Sequence, residues 1–178
     1  MKSDPSKKIK KKTTLKRFLT KRMLYYVLPN MFLNFIIAYA SFRDLGYTHF
    51  FAGTQNLARL TLPMATLLPV VLTIDIIKRV TVAADEGTIE FVVDEQLNIK
   101  KLMTRLSIWS GLITGLLVLS MLFFAQYNFS KYYKLNATAM AILVGVLAGL
   151  LSALFTYLPI RKLKKYLYKP APVVGLEA

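Results

Sequence analysis

Four long apolar runs alternate with three polar stretches and sit between basic flanks, and this pattern sets the reading of the whole chain. The clearest run is Leu57 to Ile77, LARLTLPMATLLPVVLTIDII. At ~1.5 Å per residue it makes a helix roughly 31 Å long, enough to cross a hydrocarbon core of about 30 Å. Met23 to Phe42, Leu106 to Ala125 and Thr138 to Ile160 have the same character. The pattern predicts an all-α polytopic membrane protein, a bundle of four transmembrane helices arranged as two hairpins. The hairpins cover 23–79 and 105–162, joined by a polar connector at 80–104 and flanked by basic tails at 1–22 and 163–178. Both hairpins begin and end on the same side and leave through basic residues, which suggests a parallel duplication about an axis along the membrane normal.

Within the spans, polar and small residues fall on particular faces. In the first, Asn30, Asn34, Ala38 and Ser41 follow helical spacing, and buried amides in lipid need partners, so this stripe is expected to face protein or water. In the second, Pro63 and Pro69 each remove a backbone donor, which predicts a kinked or broken helix with Thr61, Thr66 and Thr73 near the freed carbonyls. Arg59 lies near its start. Asp75 lies near its end, three and four residues before Lys78 and Arg79, the spacing at which helix side chains pair. These residues define an expected polar membrane path: Asn30, Asn34, Arg59, Thr66 and Asp75.

The third and fourth spans carry the small-residue faces that hold helices together in lipid. Gly111 and Gly115 form one GxxxG and Gly145 and Gly149 another, the latter extended by Ser152 and Thr156 on the same face. The expectation is that the third and fourth helices pack on each other through these glycines, within the chain or across a dimer.

Charge sharpens the topology. The chain of 178 residues carries 24 Lys and Arg against 9 Asp and Glu, a formal charge of +15. In a soluble protein this would suggest nucleic acid, but here the cations cluster beside apolar spans, where they answer to topology and anionic lipid, and no nucleic acid is expected. Ten basic residues lie before Met23, five between Lys78 and Arg105 and five from Arg161 onward, against Arg43, Lys131 and Lys134 on the opposite side. By the positive-inside rule both termini are expected to be cytoplasmic. The basic n-region and Ala38-Tyr39-Ala40 also imitate a signal peptide, but Pro29, Asn30 and Asn34 interrupt its apolar part and favour a retained helix. The pattern TTLKRFLTKR from Thr13 predicts a short interfacial helix with Leu15, Phe18 and Leu19 on an anionic leaflet. Asp94 and Glu95 are expected to open the third helix in water.

Candidate chemistry is sparse. There is no cysteine, and the one histidine, His49, stands in a short loop without a second ligand at metal spacing, so no metal or cofactor is expected. The connector acids Asp85, Glu86, Glu90, Asp94 and Glu95 lack calcium-loop spacing and have no base or nucleophile beside them, which argues against an enzyme.

NFIIAYASF followed by LARLTLPMATLLPVVLTIDIIKRV resembles the small bacterial two-span and four-span membrane proteins grouped as domains of unknown function. The resemblance covers about the first half of the chain and rests on an early Asn, prolines in the second helix and a basic exit. It implies membrane location and assigns no residue a role. Two functional classes follow from the residues. One is a small transporter or channel working as a homo-oligomer, since four helices alone enclose little water. The other is a non-transporting scaffold that docks a protein or anionic lipid through its cytoplasmic segments.

Overall fold

A computed structural model describes residues 13–94, 96–129 and 133–168. The lysine-rich start of the N-terminal tail, Glu95, Lys131 and the Pro-rich C-terminal end lie outside the described residues. The elements run α1 (Leu15–Phe42), β1 (Tyr47–Thr48), α2 (Leu57–Asp85), β2 (Val92–Val93), α3 (Ile99–Asn128), β3 (Leu135–Asn136), α4 (Ala137–Leu163), a 3-10 turn (Lys164–Tyr166) and β4 (Leu167–Tyr168). All four α-helices are long and apolar enough to cross a membrane. The protein is a four-helix, multi-pass membrane bundle.

Each helix starts in the same way. The side-chain oxygens of Thr14, Asn56, Asn98 and Asn136 accept the backbone N–H three residues on, from Arg17, Arg59, Lys101 and Ala139, satisfying a donor that has no partner inside the helix. These caps move two expected boundaries. The predicted interfacial segment is the first part of one continuous α1, and Leu15 and Leu19 are buried against Ile76, Ile77, Ile160 and Leu163 instead of lying on lipid. The third helix is capped by Asn98, not opened by Asp94, whose carboxylate instead accepts the backbone N–H of Gln96 at 3.0 Å. At its other end α2 runs on to Asp85 and stops where Gly87, at φ 65°, turns the chain and donates its N–H to Ala84 O.

The two helices of each hairpin are not packing partners. Helix α1 packs on α4, α2 on α3, and α2 and α4 meet at the centre, while α1 with α2 and α3 with α4 touch only sparsely. The two halves are therefore interleaved. The expected contact of α3 with α4 through their glycines is corrected: each glycine face receives a helix of the first half. A Cβ on Gly111 would lie 2.6 Å from Thr66 O and 2.6 Å from Val70 Cγ2, and one on Gly115 would lie 2.8 Å from Thr66 Cγ2. A Cβ on Gly145 would lie 2.9 Å from Met31 O and 2.9 Å from Phe35 Cβ. With little hydrophobic drive between helices in lipid, missing side chains let the backbones approach, and here they let α2 onto α3 and α1 onto α4.

The interleaving has the form of a two-fold axis along the bundle. The caps Thr14 and Asn98 stand eighty-four positions apart, and Asn56 and Asn136 eighty. Shifted by eighty, nine of the thirteen buried positions of α2 fall on buried positions of α4. Leu57, Thr61, Met64, Ala65, Pro69, Leu72, Ile76, Val80 and Ala83 are buried in α2, as are Ala137, Ala141, Val144, Gly145, Gly149, Ser152, Thr156, Ile160 and Leu163 in α4. LKRFLTKR at the start of α1 falls on IKKLMTRL at the start of α3. The short strands join the same halves: β1 pairs antiparallel with β3 at one end, and β2 with β4 at the other.

Candidate functional site

The end of the bundle that holds the start of α1 and the finish of α2 carries a charged cleft, and it forms because those two helices hardly touch. On α1, Arg22, Tyr26, Asn30 and Asn34 recur every fourth residue and so form one half-buried polar line. On α2, Asp75, Lys78 and Arg79 face the same seam. The Tyr26 hydroxyl donates to Asp75 Oδ2, and Arg79 Nε donates to the same oxygen at 2.7 Å, one helical turn along. One carboxylate thus clips the two helices together. The Arg22 guanidinium stacks over the Phe18 ring at 5.4 Å. Between them lies an open cleft of about 540 Å³ lined by Phe18, Arg22, Asp75, Lys78, Arg79, Val82, Ala83, Glu86 and Thr88. Lys78 makes no ion pair among the described residues. The cleft therefore presents two cations, Arg22 and Lys78, that Asp75 does not bind directly.

The two-fold axis supplies a counterpart. Moved by the same offsets, Arg22 falls on Leu106, Tyr26 on Ser110, Asp75 on Phe155, Lys78 on Leu158, Arg79 on Pro159 and Val82 on Lys162. All six counterparts line a smaller cleft of about 210 Å³ between α3 and α4. Corresponding positions thus line a hollow in each half, one with two carboxylates and three cations and a smaller one mainly with leucine, phenylalanine, proline and a single lysine, Lys162.

The five residues of the expected path are dispersed over the bundle. Asn30 Nδ2 donates to Ser152 Oγ at 2.9 Å across the α1–α4 interface, and the Ser152 hydroxyl donates to Ala148 O at 2.8 Å. Asn34 Nδ2 bonds Asn30 O of its own helix at 2.8 Å and lines a shallow groove on the α1–α2 seam. Thr66 hydroxyl donates to Leu62 O, and the residue sits under Gly111 and Gly115 on the other side of α2. Arg59 holds Thr54 O at 2.7 Å at the far end. Only Asp75 belongs to the charged cleft. Helix α2 is unbroken through Pro63 and Pro69, so of the kink and the break that the prolines allow, the break does not occur; Thr61 and Thr66 bond carbonyls within it, and Thr73 hydroxyl is buried with no hydrogen-bond partner among the described residues. His49 Nδ1 lies 3.0 Å from Tyr133 O and its ring meets Tyr47 edge-on, tying the two far-end loops together.

Arg22, Tyr26 and Lys78 were not among the path residues read from sequence. Extending the spacing of four back from Asn34 and Asn30 reaches Tyr26 and Arg22, a signal hidden because both stood where aromatic belts and basic flanks are ordinary.

No family model matches the chain, and no curated protein and no solved structure is significantly similar to it.

Proposed function

We propose that this is a bacterial inner-membrane protein, with both termini cytoplasmic, that binds a negatively charged group at the membrane surface in the α1–α2 cleft and works as a membrane-embedded binding component. The asymmetry of the two clefts carries the reading. A hollow that only filled space would tolerate the mainly apolar lining found between α3 and α4, where Lys162 is the one charged lining residue, whereas a cluster of charges near lipid is expensive unless the charges have partners. Arg79 has Asp75, and Arg22 and Lys78 await an anion. Nothing in the reading calls for an enzyme. The test is a titration of the purified protein in neutral detergent with inorganic phosphate, followed by its melting temperature. The wild type is expected to be stabilised and the Arg22→Leu/Lys78→Leu double variant to gain nothing; equal responses would overturn the reading. Topology is checked by reporters. Fusions within 86–94 are expected to report cytoplasm, and fusions within 48–55 the outside.

A second reading, transport by a homo-oligomer, is supported by the polar line from Arg22 to Asn34, which a second copy would have to enclose. Asn34 bonds only its own backbone, so Asn34→Leu is expected to fold normally. Loss of flux in proteoliposomes with folding intact would favour this reading over simple binding, and unchanged flux would remove Asn34 from any path.

A further inference from the structure

Above the charged cleft the α1–α2 seam continues as an apolar groove. It is lined by Asn34 from α1 and by Leu60, Pro63, Met64, Leu67, Leu68 and Val71 from α2, with a volume of about 370 Å³. Leu67 and Val71, both in its lining, are exposed. From Lys78 to Pro63 is fifteen helical residues, or roughly 22 Å, and half of a ~30 Å hydrocarbon core is about 15 Å. The seam therefore runs from the membrane surface to beyond the midplane, cationic at the surface and apolar in depth. Tight helix packing does not fill it, since α1 and α2 touch only sparsely and the Tyr26–Asp75 hydrogen bond joins them at the charged end.

From this placement we infer that the seam is a binding site for one anionic glycerophospholipid, its phosphate held by Arg22 and Lys78 and one acyl chain laid along Leu67 and Val71. The inference rests on the anion-binding reading and adds to it the chemical class of the ligand. Charge complementarity selects the headgroup. Three cations meet two carboxylates in the cleft; Asp75 is engaged by Arg79 and Tyr26, and Glu86 is exposed at the mouth. A zwitterionic lipid would bring an ammonium group, trimethylated in phosphatidylcholine, into a site that already holds surplus positive charge. A soluble anion would use the cleft and leave the groove exposed to bulk lipid. A lipid uses both, and its chain gains contact area that loosely packed bulk tails supply less well.

The test compares retention of phosphatidylglycerol and phosphatidylcholine by the full-length protein through delipidation, read by native mass spectrometry. Wild type is expected to keep one phosphatidylglycerol and at least tenfold less phosphatidylcholine. Arg22→Leu/Lys78→Leu is expected to lose it, Lys162→Leu in the opposite cleft to retain it. Leu67→Trp, which fills the groove, is expected to release the lipid while inorganic phosphate still raises the melting temperature. Equal retention of the two lipids, or retention unchanged by Leu67→Trp, would overturn the lipid inference and leave the anion reading standing if phosphate still stabilises. Failure of both phosphate and phosphatidylglycerol to bind would overturn both.

Discussion

The α1–α2 and α3–α4 clefts line up under the same sequence offsets, yet Asp75 stands in the first where Phe155 stands in the second. The two clefts differ in size, about 540 against 210 Å³, and most plainly in side-chain chemistry. A charge in the first is met by Tyr26 and Arg79; the counterparts Ser110 and Pro159 offer no cation. The comparison separates what holds the bundle together, which both halves share, from what is particular to one half.

The sharpest way to break it is to exchange the residues. Phe155 is buried at 5% exposure, so Phe155→Asp removes a large apolar side chain and leaves a carboxylate without a partner. It is expected to cost more than the ~3–5 kcal/mol of a buried Phe→Ala change, enough to prevent recovery of folded protein. The reverse exchange, Asp75→Phe, removes an ion pair whose side chains are 44% and 35% exposed, and is expected to cost about 1 kcal/mol or less. Comparable damage from both would mean that the clefts are not equivalent hollows.

Smaller effects sharpen the shared part. Gly111→Ala puts a methyl 2.6 Å from a backbone oxygen that cannot swing away, and is expected to cost ~1–3 kcal/mol in thermal unfolding in detergent. Gly149→Ala meets only the flexible Met31 side chain, at 3.4 Å from its sulfur, and is expected to be nearly silent. Asn30→Leu comes last. It removes one interhelical hydrogen bond but leaves Ser152 bonded to Ala148, so about 0.6 kcal/mol is expected, the usual size for such bonds between membrane helices.

Much of the scaffold was legible in the residues because lipid imposes length and apolarity on a span directly, and the four spans follow from counting. Which helix meets which was not. GxxxG at Gly111 and Gly145 announces that a face will be approached closely, but a smooth face carries no address, and the knobs that enter it, Thr66 and Met31, are ordinary residues on other helices. The prolines of α2 are a related case. Pro63 and Pro69 remove donors and allow either a kink or a break, and local spacing does not say that the helix stays continuous where it packs on α3 and α4. Asp75 was legible as a pairing residue, and the spacing offered both Lys78 and Arg79; geometry selects Arg79 and adds Tyr26, a partner 49 positions away that no local spacing reveals.

The interleaving of halves also dictates an order of events when the chain is made. Asn30 and its partner Ser152 lie 122 residues apart, and the face of α1 that α4 covers has no cover while only the first half exists. As synthesis proceeds from the N-terminus, the first two helices enter the bilayer as a loosely joined pair, held by the clip at Asp75. They remain so until the fourth helix arrives to fill the space beside Met31 and Phe35. A chain stopped before Asn136 would therefore leave a polar amide facing lipid tails, where a quality-control protease able to sense unpaired polar groups in the bilayer would find it.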